Sequence, residues 1–259
     1  MKTSHRRIAL LTGASVSALV IATPAFAAPH DALADGVYPG VSTTTATVTI
    51  CNLATPPGSP CFFGVIDSVP PSTAVVSTTA NGQVLQHAGG ATVNITLINA
   101  GSAEVGAIAL GGATPTAVNH SAIQQTATGA NVTMNVTNNG PLLIDALATG
   151  SNAHAHVNHG LGQIAGAAAT VADLNITNNS TLNVDATAQA IAKSAHATAG
   201  VDKGVYQTAT GVSSGSNDIT NNGSLGVAAI ATASGIFASA NADVTNGLYQ
   251  DAAASKSGK

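Results

Sequence analysis

The sequence predicts an all-β protein, a right-handed parallel β-solenoid (β-helix) of about four repeats of roughly 40 residues each. The first observation is the composition, which is 45% apolar but only 3% aromatic and 7% charged. Ordinary globular domains carry about 25% charged residues and enough large side chains for a thick core. A chain rich in Ala, Val, Gly, Thr and Asn suits a thin core that is repeated many times.

The second observation is a pair of sequence landmarks that recur together. One is a glutamine followed by small residues, and the other is an Asn-Gly-like bend roughly 14 residues later. The glutamines are Gln86, Gln125, Gln163, Gln207 and Gln250, and the bends follow at Asn99, Asn138, Asn178 and Asn221. Two landmarks that keep step through successive units indicate a repeat array.

The third observation is the alternation of apolar and polar residues on both sides of each bend, as in 132–136 and 182–190. A period of two with Val, Ile and Thr enrichment predicts short strands joined by tight turns. A helix is the competing interpretation, because alanine is the best helix former and little in 185–198 forbids one. For the β-solenoid we expect two coils of about 20 residues per repeat, stacked about 4.8 Å apart.

Stacked coils place equivalent residues on top of one another. We therefore expect an amide ladder at Asn138, Asn178 and Asn221 and an aromatic stack of Tyr206 on Tyr249. We also expect inward-facing small residues that let opposed sheets approach closely. Examples are Ala146, Ala186 and Ala229.

The N-terminus predicts export. A basic start is followed by the apolar run 8–23 and by small residues that favour cleavage after Ala27. A membrane-spanning helix is the alternative, but the run contains polar and glycine residues and is shorter than the ~20 apolar residues a bilayer requires. The predicted division is a signal peptide at 1–27, an N-terminal segment or cap at 28–79, the repeats at 80–250 and a polar tail at 251–259.

The charge of the predicted mature chain excludes nucleic acid as a partner. Both arginines lie in the signal peptide, so Lys193, Lys203, Lys256 and Lys259 stand against all eleven acids, a net charge of −7 with neutral histidines. Such a surface cannot neutralise a row of phosphates. It also argues against attraction to an anionic membrane.

Two cysteines, Cys51 and Cys61, flank a loop rich in Pro and Gly. An even count at short spacing in an exported protein predicts a structural disulfide. Metal binding by this pair is the alternative, and no neighbouring His or Cys completes a tetrahedral set.

The repeated blocks at 204–209 and 219–231 resemble the passenger repeats of Gram-negative autotransporter and adhesin-like surface proteins. The resemblance implies a β-helical, non-enzymatic protein at the cell surface or outer membrane, with the periplasm as the other location. It implies no cofactor, and as partners it implies glycans or proteins on host or neighbouring cells. The translocator barrel of that family is missing from this sequence. A weaker likeness to curlin-type fibre subunits implies self-association through coil ends.

Catalytic and metal-binding chemistry is sparse. His154, His156 and His159 form the densest group of ligand-type residues, and two of them share a strand face, so Zn²⁺ or Cu²⁺ could bind if a third ligand approached. We expect that no carboxylate neighbour orients these rings, which favours a solvated polar face instead. Asp145 and Asp185 occupy equivalent places in adjacent repeats, and they are the basis of a remote alternative, a polysaccharide-degrading enzyme.

Overall fold

The computed structural model describes residues 34–37, 43–50, 61–68, 75–166 and 169–254, and every element in them is a strand. The strands are β1 (Ala34–Val37), β2 (Thr43–Ile50), β3 (Cys61–Ser68), β4 (Val75–Gly89), β5 (Thr92–Asn99), β6 (Ala103–Leu110), β7 (Thr114–Thr128), β8 (Asn131–Asn138), β9 (Leu142–Gly150), β10 (Asn152–Ala165), β11 (Val171–Asn178), β12 (Thr181–Ile191), β13 (Ser194–Val212), β14 (Ser214–Asn221), β15 (Ser224–Ser234) and β16 (Phe237–Ala254). The helical alternative for 185–198 is therefore wrong. In the described ranges there is also no helix that could span a membrane.

The strands form three parallel sheets. Sheet A contains β1, β4, β7, β10, β13 and β16, sheet B contains β2, β5, β8, β11 and β14, and sheet C contains β3, β6, β9, β12 and β15. Because the chain visits the three sheets in turn, three consecutive strands make one coil, and each strand pairs with the equivalent strand of the next coil. The predicted parallel β-solenoid of about four 40-residue repeats is confirmed.

The expected division of each repeat into two coils is wrong. Asn138 is the register partner of both Asn99 and Asn178, so a full repeat passes before the chain returns to the same sheet. Each repeat is one wide coil of three strands. The two landmarks mark two places in that coil: the glutamine lies within a long strand of sheet A, and the asparagine ends a strand of sheet B.

The predicted signal peptide, N-terminal segment and polar tail lie wholly or partly outside the described residues. The signal peptide 1–27, Cys51 and residues 255–259 lie outside them, and Cys61 begins β3 without a described side chain. The Cys51–Cys61 disulfide therefore stays a prediction. The described strands of the N-terminal segment pair in parallel with the next coil. β1 pairs with the end of β4, and β2 and β3 pair with the whole of β5 and β6.

The core is thin and built mostly of small side chains. Ala146 and Ala186 are fully buried, as predicted, whereas Ala229 is only partly buried because β15 is the last strand of sheet C. The buried residues divide into two clusters. One cluster lies mainly between sheet C and the sheet A residues that precede the glutamine of each strand. The other lies between the sheet A residues that follow the glutamine and the first residues of the sheet B strands.

A ladder of buried glutamines runs along the boundary of these clusters. Its side chains are joined from coil to coil by Nε2–H···Oε1 bonds of 2.6 to 2.9 Å through Gln86, Gln125, Gln163, Gln207 and Gln250. Most members also donate to a backbone carbonyl of sheet B, for example Gln125 Nε2 to the carbonyl of Asn135 at 3.0 Å. The ladder therefore ties sheet A to sheet B in every coil.

The predicted asparagine ladder is also present. Bonds of 2.7 Å connect Asn99, Asn138, Asn178 and Asn221. Three of these amides also donate to a carbonyl of the next coil, in the turn before its sheet C strand or at the first residue of that strand. In this ladder the donors point toward the later coil, whereas in the glutamine ladder they point toward the earlier one. Each side-chain amide also donates to a backbone carbonyl, and this second bond sets which way its NH₂ group points. The two ladders therefore run in opposite directions.

Both ladders stop at the N-terminal coil. The register partner of Gln86 is Ala34 and that of Asn99 is Ile50, and neither carries an amide. As a result, Asn99 Oδ1 is buried without a hydrogen-bond partner among the described residues. The first coil thus covers the sheet edges without extending the amide chains.

Replacement of a central ladder residue tests this view. Gln163→Leu removes the bond to the carbonyl of Asn175 and takes from Gln125 Oε1 its donor. It also removes one of the three acceptors of Gln207 Nε2, the others being the carbonyls of Leu174 and Asp218. We expect the free energy of unfolding to fall by about 2–4 kcal/mol, since buried polar groups lose their partners. Equilibrium urea unfolding measures the change. The matched control is Gln250→Leu on the last strand of sheet A, and equal losses for the two variants would contradict the ladder's role.

Candidate functional site

The histidines of the described chain all lie on sheet A. They are His87 on β4, His120 on β7, His154, His156 and His159 on β10, and His196 on β13. Along the first part of β10 the imidazoles alternate with buried apolar residues such as Ala155 and Val157. Because successive strand residues point to opposite faces, the rings project outward.

Five of these residues lie on three adjacent strands, between the levels of Asn152 and His159 on β10, and we call them the histidine patch: His120, His154, His156, His159 and His196. The register brings β7, β10 and β13 together so that His159 lies beside Lys203 and Asn152 lies beside His196. His120 contacts the same region through Asn158, whose Nδ2 lies 2.6 Å from His120 Nδ1. The patch thus combines side chains from three repeats.

His156 has a carboxylate partner. Its Nε2 lies 3.1 Å from Asp202 Oδ1, and its ring occupies the space over Gly200, where a Cβ would come within 2.7 Å of Nδ1. The expectation that no carboxylate orients these rings is therefore wrong. Asp202 is 46 positions further along the chain, and only the pairing of β10 with β13 brings it close. Its side chain is half exposed, so the pair contributes little to stability.

His154 stacks on His156 with ring centroids 6.1 Å apart and an interplanar angle of 18°. Partial burial lowers the pKa of His154 below its ordinary value, and the neighbouring His156 lowers it further. Both effects disfavour a positive charge on this ring. His154 therefore gains its proton at a lower pH than an ordinary imidazole.

His159, at the edge of the patch, also contacts a tyrosine ring. Its ring centroid lies 5.1 Å from that of Tyr206, and Lys203 Nζ lies 5.5 Å from the Tyr206 centroid. Burial lowers the pKa of His159, and the charge of Lys203 lowers it further, while Asp202 acts in the opposite direction.

Tyr206 and Tyr249 are register partners, as expected, but Lys203 contributes to their arrangement. Its Nζ also lies over the Tyr249 ring, 4.6 Å from the centroid. The Tyr206 ring lies over Gly162, where an added Cβ would overlap its ring carbons. Only 2% of Tyr206 is exposed, and its hydroxyl has no hydrogen-bond partner in the described structure. Burial raises the pKa of Tyr206 to about 12.

The geometry does not assemble a metal site. In the described part of the chain, no three His, Cys, Asp or Glu side chains are grouped so that they could hold an ion. His154 and His156 share a face as predicted, but together with Asp202 they are not grouped so that the three could hold an ion. Asp145 and Asp185 are register partners, also as predicted, and they lie on sheet C, away from the patch.

Sequence reasoning found the three histidines of β10 and missed His120, His196, Asp202 and Lys203. The signal that could have found them is the repeat offset itself. His159 and Lys203 occupy the same place in successive coils, as do Asn152 and His196. Aligning ligand-type residues by the repeat, instead of by proximity along the chain, assembles the patch.

No protein-family model, curated protein or solved structure matches the chain. The class of protein is therefore defined by its fold and surface: a parallel β-solenoid whose described histidines all lie on one sheet.

The lowered pKa values predict acid sensitivity. For His154 and His159 the folded-state pKa lies below the ordinary value of 6.5, so the unfolded chain binds more protons just below that pH. Stability is therefore complete above pH 6.5 and falls as the pH decreases through 6.5 toward the folded-state values. Thermal unfolding between pH 8 and pH 5 measures this slope. The variant His154→Asn/His159→Asn should flatten it, whereas His87→Asn, outside the patch, should keep it.

Gly162→Ala tests the seat of the Tyr206 ring. The new methyl group overlaps the ring, so we expect a loss of about 1–3 kcal/mol and displacement of the ring into solvent. The pKa of the phenol should then fall from about 12 toward 10, as spectrophotometric titration can show. Because the folded-state pKa is raised, stability present below pH 10 is lost between pH 10 and 12 in the parent protein. Gly247→Ala, whose Cβ meets only ordinary contacts at 3.9 Å, is the control.

Proposed function

We propose that the protein is a non-enzymatic, exported β-solenoid that acts as an adhesin-type or envelope structural protein on the surface of a Gram-negative cell. Its partners are glycans or proteins of host or neighbouring cells. The single observation that carries the proposal is the convergence of side chains from three repeats on one outer face of sheet A. The signal-peptide pattern of 1–27 and the resemblance to passenger repeats support export.

The solenoid suits the presentation of binding side chains better than catalysis. Its sheets are held by continuous backbone pairing and by two buried amide ladders, so outward side chains keep fixed positions over several coils. Binding residues on a rigid scaffold lose little conformational freedom when a ligand arrives. The outward side chains that three successive coils bring to this face also offer several weak contacts to one extended ligand.

A second candidate is a fibre subunit that assembles through coil ends. The observation in its favour is that β14, β15 and β16 are the last strands of their sheets, with large apolar side chains exposed on or beside them, such as Ile236 and Phe237. Unpaired strand edges favour addition of further strands. The absence of ladder amides at Ala34 and Ile50 argues against head-to-tail stacking, because the N-terminal coil of a second copy cannot continue either ladder.

An adhesion assay separates these candidates. The exported chain, purified and coupled to beads, is expected to retain epithelial and bacterial cells in a saturable manner. Lys203→Ala/Tyr249→Ala on sheet A should reduce retention several-fold, because it removes a cation and a ring from the outer face. The control is Thr133→Ala/Thr177→Ala, which shortens two outward side chains of sheet B.

Three results would contradict the adhesin proposal: no cell retention at any pH between 5 and 8, equal loss in both double variants, or release of sugar from the bound surface. Concentration-dependent fibres in electron micrographs would favour the second candidate instead. Circular dichroism at the assay temperature checks that each variant keeps its strands.

A further inference from the structure

We infer that the histidine patch of sheet A is an acid-gated binding site for anionic polysaccharides. The inference rests on the adhesin function proposed above and names the ligand class and the regulation of that face.

The patch is the part of the described surface whose charge can reverse within the physiological pH range. Imidazole is the side chain that ordinarily changes charge between pH 5 and 8. The other two sheets carry acids at their outward positions, such as Asp173 on sheet B and Asp185 on sheet C, and no histidine among the described residues. Among the described residues, protonation of imidazoles therefore adds positive charge to sheet A alone.

The charged and titratable groups around the patch come from every strand packed against it. On β13 they are Asp202, Lys203 and Tyr206, and on β16 they are Asp243 and Tyr249. Asp243 is the register partner of Gly200, over which the His156 ring lies. β7 contributes His120, which is itself a member of the patch.

A charge count shows the size of the reversal. With neutral imidazoles, one ammonium against the carboxylates of Asp202 and Asp243 leaves the patch at −1. In the state in which all five imidazoles carry a proton and both carboxylates keep their charge, the same area carries +4. Because the pKa values of His154 and His159 are lowered, these two imidazoles are neutral until the pH falls below the ordinary value. A bound polyanion stabilises their protonated forms, so its affinity rises steeply as the pH falls.

The groups between the charges favour a sugar polymer. Asn158 lies within the patch, and Thr116 and Thr198 flank His154 on the neighbouring strands, so amide and hydroxyl groups face a ligand beside each imidazole. Tyr249 adds a partly exposed ring at the edge. Three strands about 4.8 Å apart give a flat path for an extended chain rather than a pocket for a small molecule.

Other polyanions fit less well. Nucleic acid requires a dense row of permanent cations, and beyond the predicted signal peptide the chain has no arginine. An anionic membrane would also require apolar side chains that enter the lipid, and the patch is composed of imidazole, amide and hydroxyl groups. Both become outcomes of the test.

Binding of the purified chain to dextran sulfate, with uncharged dextran as the matched ligand, tests the inference. The measurements run from pH 7.5 to pH 5.0 at low salt, with EDTA present to remove metal ions. We expect dextran sulfate to bind at least about tenfold more tightly at pH 5.0 than at pH 7.5, since each exposed charge pair contributes modestly and several act together. Binding should disappear near 1 M salt, where the screening length is about 3 Å.

Variants define the site. His154→Asn/His156→Asn should abolish most of the acid-induced gain, whereas His87→Asn, which removes an exposed imidazole on β4, should leave it unchanged. Asp202→Asn removes a negative charge from the patch and should strengthen binding at pH 5.0. This opposite change is not expected from general damage to the fold, which circular dichroism at both pH values checks for every variant.

The outcomes distinguish the inference from the function on which it rests. Binding that is independent of pH, that is equal for uncharged dextran, or that falls equally with His87→Asn overturns the inference. Tighter acid-dependent binding to DNA or to anionic lipid vesicles than to dextran sulfate also overturns it. In each of these cases, cell retention by the protein-coated beads at neutral pH would leave the adhesin proposal standing. Acid-dependent binding of dextran sulfate without cell retention would support the acid-gated site and contradict the adhesin proposal.

Discussion

Coil-on-coil stacking in register is the constraint on which the structure depends. A core made of small side chains buries little apolar surface per residue, so it needs continuous backbone pairing to remain ordered. Parallel pairing alone permits slippage, but a buried amide fits only when its neighbour is directly above it. The glutamine and asparagine ladders therefore fix the register, because any shift would leave several amides without partners in the core.

The same register creates the outer surface. Residues about 40 positions apart become neighbours, so a face is assembled from side chains that are unrelated along the sequence. Small residues in these columns make room for larger neighbours, as Gly162 does for Tyr206 and Gly200 for His156. A surface site in such a protein is thus a property of several repeats. One substitution in one repeat changes the site without disturbing the core.

The two ladders also give the solenoid unlike ends. At the N-terminal coil, Ala34 and Ile50 replace the amide residues, and a buried acceptor on Asn99 is left without a donor. At the other end of the described chain, Gln250 and Asn221 still carry amides in ladder position. Growth by stacking is therefore more compatible with the second end, where the chemistry of the repeat continues.

Sequence alone determined the strand content, the 40-residue period and the Asn ladder, because each depends on local alternation and on residues that recur at a fixed spacing. It could not decide how many strands one period contains, since the same alternation fits one wide coil or two narrow ones. It also missed the glutamine ladder's hydrogen bonds and the carboxylate beside His156, because Asp202 approaches only through pairing of β10 with β13. The tertiary structure decided these points because contacts between coils join residues that are distant along the chain.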